Sequence, residues 1–153
     1  MHRASDGEAA FEALDRDLRR HPGHRLFTVL LIDWDRFENR RIYTSDPVTY
    51  PCGGAKPLRP ESEFFRQLVV HGQARVCPDR ASCRLAFPDY GLIESLGCGS
   101  AINVPVQRDG RTVGSLNLLH EAGWYREEMI AALGRSADVA AELLIEYSPG
   151  ERP

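Results

Sequence analysis

The chain has no apolar run long enough to cross a membrane. The longest, Leu26 to Ile32, is interrupted by Thr28 and stopped by Asp33. Met1 to Glu8 holds no apolar core of the kind a secretory leader needs, so the expectation is a cytoplasmic protein without a membrane partner. The four cysteines, at 52, 77, 83 and 98, form no Cys-x-x-Cys, which removes the common zinc and thioredoxin patterns and leaves free thiols as the default. No metal site is expected from the sequence, and it names no cofactor. The phosphate loop Gly-x-x-x-x-Gly-Lys-Ser/Thr is absent. Basic residues are not in excess: 19 Lys and Arg stand against 22 Asp and Glu, a net charge of −3. With Arg40-Arg41 as the nearest approach to a basic cluster, nucleic acid is excluded as an expected partner.

What is present is an ordinary globular balance, 42 % apolar and 27 % charged, over 153 residues. That length fits one domain, 1–153, with its core over roughly residues 8 to 146. Phe11, Leu14 and Leu18 predict a helix over 5–20, with Ser5 or Asp6 as its cap and His21-Pro22-Gly23 as its end. Strands are expected at 26–32 and 40–44. Residues 45–60 hold four prolines and Gly53-Gly54, so regular structure is not expected there. A helix is expected over 61–71, with Phe64, Phe65, Leu68 and Val69 inward. Then come a short strand at 74–77 and one or two helical turns around Pro88. A last helix is expected over 124–147, with Gly134 inside it at a cost of about 1 kcal/mol.

The clearest pair of strands is 100–107 and 112–120, joined by Asp109-Gly110, a strong hairpin signal. A two-residue turn there sets Arg108 opposite Arg111 and Ile102 opposite Asn117. One face then carries Ile102, Val104, Val106, Val113, Ser115 and Asn117. The other carries Ala101, Asn103, Pro105, Gly114, Leu116 and Leu118. A longer connection would swap the sides of one strand.

The order helix, two strands, loop and helix, short strand, irregular segment, hairpin, helix resembles a GAF domain. The specific part is Gly99-Ser100-Ala101-Ile102-Asn103-Val104-Pro105-Val106 and then Asp109-Gly110-Arg111-Thr112-Val113-Gly114-Ser115-Leu116-Asn117-Leu118. The resemblance implies an α+β fold, with a curved antiparallel sheet of about five to six strands. The N- and C-terminal helices would lie on one face, covering Leu116 and Leu118. A roof of loops and short helices would enclose a pocket on the other. It further implies a small-molecule-binding sensory or regulatory module and a homodimer through the terminal helices, with no catalytic residue expected unless the chain is a thiol enzyme. The chain as read carries no output domain, so the expected partner is a separate protein or its own dimer mate.

Asn103, Ser115 and Asn117 are polar residues inside apolar strands. They serve either a ligand or their own buried hydrogen bonds. Tyr43, Tyr50 and Lys56 flank or occupy the 45–60 segment, which reads as a lid or as an ordered surface loop. Arg80, Arg84, Asp89, Tyr90 and Glu94 read as an anion-binding roof or as an exposed helix face with ordinary charge pairs. His120 reads as a strand-end residue that packs. Cys98, between Gly97 and Gly99, is a ligand-contact candidate. If the chain is an enzyme, Cys98, Cys77 and Cys83 are the candidate thiols, with Arg80 and Arg84 near enough in sequence to favour a thiolate.

Several ligands common in the resembled family lack their motifs. No cysteine is followed by histidine, as bilin attachment requires, and the Asn-Lys-x-x-Phe-x-x-x-Asp-Glu signature of cyclic-nucleotide members is absent. Haem has no evident axial ligand. The enzyme alternative is a free methionine-(R)-sulfoxide reductase, in which a thiolate attacks the sulfoxide and a disulfide resolves it. The Gly-x-Gly-Val-Cys-Gly stretch of that family is missing, and Cys98 lies close to the next strand. The third class is a dimerising adaptor with a filled pocket.

Overall fold

The computed structural model describes residues 2–147, with side chains from Gly7 onward. Helix α1 (His2–Arg20) begins before the expected start, so Ser5 and Asp6 fall within it and not at its cap; their side chains lie outside the described residues. It ends where expected, and the Gly23 N–H reaches back to the Leu18 carbonyl at 2.9 Å. Strands β1 (Leu26–Asp33) and β2 (Glu38–Thr44) come next. The 45–60 segment is not wholly irregular. A two-residue strand β3 (Lys56–Pro57) pairs with Glu38 and Asn39 at the sheet edge, where the missing N–H of proline costs no ladder bond.

The helix expected over 61–71 is mostly a π-helical segment, Phe65–Val70, with Leu68 and Val69 buried. Its wide turn is visible where the His71 N–H bonds to Arg66 O, five residues back. Strand β4 (Arg75–Cys77) leads into two short helices, α2 (Arg80–Ala86) and α3 (Tyr90–Ser95). Asp79 and Ser82 form a reciprocal capping box at the start of α2. Strands β5 (Ser100–Arg108) and β6 (Arg111–His120) complete a six-stranded antiparallel sheet in the order β3-β2-β1-β6-β5-β4.

The final helix is shorter than its periodicity predicts. Two 3-10 turns, Glu127–Met129 and Ala131–Leu133, precede α4 (Gly134–Leu144), and a third, Ile145–Tyr147, succeeds it. Gly134 therefore opens α4 and does not interrupt it. Tertiary ties hold the preceding chain out of a helix: Trp124 Nε1 donates to Pro22 O at 3.0 Å, and the Tyr125 hydroxyl donates to Gly23 O at 2.6 Å.

Asp109 and Gly110 both have positive φ, 56° and 77°, the two left-handed positions of a type I′ turn, and Arg108 does face Arg111. The register then slips. Val106 pairs with Gly114 while Gln107 pairs with Thr112, which leaves Val113 as the extra residue of a bulge. Ile102 consequently faces Leu118, not Asn117, and Asn103 faces Asn117. The bulge turns β6 over relative to the unbulged expectation.

One face now gathers Ile102, Val104, Val106, Leu116 and Leu118 with Phe27, Val29 and Leu31. All pack with Phe11, Leu14 and Leu18 of α1 and Ala137, Ala140 and Leu144 of α4. Each large apolar side chain so buried contributes about 1.5–3 kcal/mol. Tyr43 belongs to this face as well. Its ring lies 5.8 Å from Phe11, and its hydroxyl donates to Asp15 Oδ2 at 2.6 Å. His24 Nε2 stands 2.8 Å from the other oxygen of Asp15. Burial works to raise the Asp15 pKa, but the bonds from His24 and Tyr43 outweigh it and hold the carboxyl below its ordinary value.

At Gly114, strand β6 lies close to both β1 and α4. A Cβ there would lie 2.3 Å from Leu30 O and 2.7 Å from Leu144 Cδ1. Gly114→Ala should therefore destabilise the fold by about 1–3 kcal/mol in urea unfolding. An unchanged midpoint would mean that α4 does not press on β6.

Candidate functional site

The sheet face turned away from α1 and α4 carries a rung of polar side chains. Thr28 of β1 pairs with Asn117 of β6, Asn117 with Asn103 of β5, and Asn103 with Arg75 of β4. The four stand side by side across the sheet, and their hydrogen bonds run in one direction. Arg75 Nε donates to Asn103 Oδ1 at 3.0 Å, and Asn103 Nδ2 donates to Asn117 Oδ1 at 2.8 Å. Asn117 Nδ2 donates to Thr28 Oγ1 at 3.3 Å, and the Ser115 hydroxyl donates to Asn117 Oδ1 at 3.2 Å.

This rung is the floor of a cavity of about 690 Å³. Leu30 and Leu119 extend the floor on either side. The roof comes from the α2–α3 connection, with Phe87, Pro88, Asp89 and Ile93, and from Tyr50 and Gly53-Gly54 of the 45–60 segment. The two halves of the roof are tied where the Tyr50 hydroxyl donates to Asp89 Oδ2. Burial and that carboxylate push the phenol pKa up, so Tyr50 remains a donor. Arg41 of β2 stacks under Tyr50, its Cζ 3.9 Å from the ring centre, and Nη1 donates to Pro51 O at 2.6 Å. Its buried Nε has no hydrogen-bond partner among the described residues.

The walls are cationic. Arg41 and Arg75, with the exposed Lys56 and Arg59, line the cavity against a single carboxylate, Asp89, while Arg40 borders it from beside Leu31. Arg75 is only 5 % exposed. Its charged neighbour Glu63, 3.1 Å from Nη1, has a side chain 61 % exposed. A pair so open to water is worth at most about 1 kcal/mol. Withdrawing a guanidinium from solvent costs several kcal/mol. Glu63 and the Asn103 oxygen therefore offset only part of that cost. The arrangement can hold a small molecule by its apolar surface and orient its polar groups on amides and guanidiniums.

The structure brings Tyr50, Asn103, Asn117 and Lys56 together at the cavity. Ser115 stands behind them, bonded to Asn117. Tyr43 is on the opposite sheet face, packed against Phe11. Cys98, 1 % exposed, packs with Leu26, Ile93 and Leu119 in the layer beside the cavity and does not line it. In the roof, Arg84 pairs with Glu94 on the surface through two bonds of 2.8 and 3.2 Å, while Asp89 reaches the cavity. His120 accepts from the Glu121 N–H at 2.8 Å and stacks on Trp124, away from the cavity. Sequence reasoning missed Thr28, Arg41 and Arg75. For Arg75 a signal exists, an arginine inside an otherwise apolar short strand. For Arg41 there is none, since it reads as half of an exposed Arg-Arg pair.

A family model for the GAF domain matches residues 6–144. The chain belongs to the GAF domain family. A sequence search of curated proteins returns no match. Among solved structures, it is similar to the GAF domain/HD domain protein of Geobacter sulfurreducens, at 15 % identity and a TM-score of 0.71 over 94 % of each chain. It is similar to the GAF domain of a two-component sensor histidine kinase from Bacillus halodurans, at 13 % identity and a TM-score of 0.72, covering 91 % of this chain and 93 % of that one. A third similar structure is a type II free methionine-R-sulfoxide reductase from Thermoplasma acidophilum, at 16 % identity and a TM-score of 0.67, covering 95 % of this chain and 97 % of that one. At such identities these structures share the fold alone.

The thiols of this GAF domain are free, and three of the four are buried. Burial pushes Cys98 up to about 11. Cys77 and Cys83 share a hydrogen bond that favours a thiolate on Cys77, helped by Arg75, and pushes Cys83 up. Arg75 is the cation that acts on Cys77. With dithionitrobenzoate at pH 8, the folded protein should release about one equivalent of thiol quickly, from Cys52, and the rest only on unfolding. Rapid release of three or four equivalents would contradict the buried placement of Cys77, Cys83 and Cys98.

Proposed function

We propose that this GAF domain is a small-molecule-binding sensory module whose ligand sits between the polar rung and the roof. The observation that supports this most is the cavity itself, about 690 Å³ with Asn103, Asn117 and Arg75 as placed polar groups on an otherwise apolar floor. Occupancy would be felt by β1, β5 and β6, whose other faces pack directly on α1 and α4. The signal would leave through those two helices, to a separate partner protein or to a second copy of the chain. A homodimer through the terminal helices is part of the proposal, supported by Val139 and Ile145, which α4 and the turn after it leave 44 % and 38 % exposed. So are a single domain spanning the chain and a cytoplasmic setting. Nucleic acid is not the proposed partner, because the net charge is −3 and the sequence has no run of Lys or Arg longer than a pair.

The sulfoxide reductase reading has less support. It needs a reactive thiol at the ligand, and none of Cys77, Cys83 and Cys98 lines the cavity, though a thiolate is favoured on Cys77.

The test is a screen of small molecules against the isotope-labelled protein, read by amide chemical shifts. Binders should perturb residues 28, 75, 103 and 117 together, and Leu30→Trp, which sets an indole on the cavity floor, should weaken their binding while the protein stays folded. If binders perturb only surface residues, or bind Leu30→Trp equally well, the cavity is not the ligand site.

A further inference from the structure

We infer that the cavity takes a small organic anion, a carboxylate or phosphate carried on an apolar body, with Arg75 as its anchor. The inference rests on the cavity being the ligand site and adds the chemical class of the ligand. Arg41 and Arg75, with the exposed Lys56 and Arg59, line the cavity of a chain whose net charge is −3, against one carboxylate already engaged by Tyr50. That excess of positive charge around the cavity draws anions in and repels cations.

Arg75 is suited to the anchoring role by what already holds it. Nε is fixed by Asn103 and Nη1 by Glu63, and Phe87 of the roof lies over the guanidinium at 5.4 Å. The third nitrogen, Nη2, donates to no described residue. A guanidinium with two corners fixed and one spare is oriented in advance, so an oxyanion meets a donor that need not be ordered on binding. On the opposite wall, Arg41 presents a buried Nε with no acceptor among the described residues. The apolar body is accommodated by Leu30, Phe64, Phe87, Pro88 and Leu119. An aromatic acid or an aryl phosphate has the required two-part character.

The experiment titrates the wild-type protein with benzoate, phenyl phosphate and the neutral benzamide, at about 50 mM and about 300 mM salt. Amide shifts and the Arg75 Nε–H resonance are tracked. Both anions should bind at least about tenfold more tightly than benzamide and move the Arg75 resonance, and high salt should weaken the anions alone. The tighter of the two identifies the head group. Arg75→Met should cost the anions about tenfold and leave benzamide within about twofold, and Arg75→Lys should fall between. Arg41→Met, at a half-exposed position, should weaken the anions by a few fold even where Arg75→Met fails to fold. Arg36→Met, on the surface outside the cavity, should change nothing. Equal binding of benzamide and the anions, or an Arg75 resonance that does not move, overturns the anion assignment and leaves the cavity reading standing. Failure of all three compounds to perturb the cavity residues overturns both.

Discussion

Everything distinctive about this domain depends on one row of hydrogen bonds crossing the sheet, from Arg75 through Asn103 and Asn117 to Thr28. These side chains are buried, and a buried donor or acceptor left unmade costs about 1–3 kcal/mol. The row satisfies its members only if residues 103 and 117 stand opposite one another. A hairpin closed at Asp109-Gly110 without interruption would miss that pairing by one residue. The bulge at Val113 supplies the missing residue. Slippage of β6 by one position would strand both asparagines and drive Leu116 and Leu118 out of the helix-covered core, so polar and apolar demands select the same register.

That register gives the sheet two unlike faces. On one, Leu116 and Leu118 meet Phe11, Leu14, Leu18 and Leu144. On the other, the amides and Arg75 lie open to a cavity that the 45–60 segment and the α2–α3 connection close from above. The strands between are shared. A molecule that settles on the polar rung presses on β1, β5 and β6, and those strands carry the terminal helices on their backs. The Tyr50–Asp89 bond holds the two halves of the roof together, so the cavity is closed from above by one joined roof and not two independent loops.

Features governed by local rules were legible in the sequence. Asp109-Gly110 is read correctly as a tight hairpin turn because its two positive φ angles have a residue signature. The alternation of β5, the stripe on α1 and the resemblance to GAF domains carry through to the family and its six-stranded sheet. The bulge was not legible, because Val113 is an unremarkable strand residue and a single extra residue leaves no trace in composition. With it went the sides of Ser115, Asn117, Leu116 and Leu118. Tyr43 suits either face until the register of β2 is known. The stretch from Trp124 to Leu133 has helical periodicity, but the bonds from Trp124 and Tyr125 to the chain after α1 decide otherwise. The role of Arg75 appears only when β4 is laid beside Asn103, a contact 28 residues apart in sequence.

The most direct measurement is the cross-strand register of β5 and β6 by nuclear Overhauser contacts in the labelled protein. A hairpin bulged at Val113 predicts contacts linking 103 with 117 and 102 with 118. Contacts linking 103 with 116 and 102 with 117 would mean an unbulged hairpin. They would put Asn117 on the helix-covered face, and with it the rung, the cavity floor and the ligand site built on them would be lost.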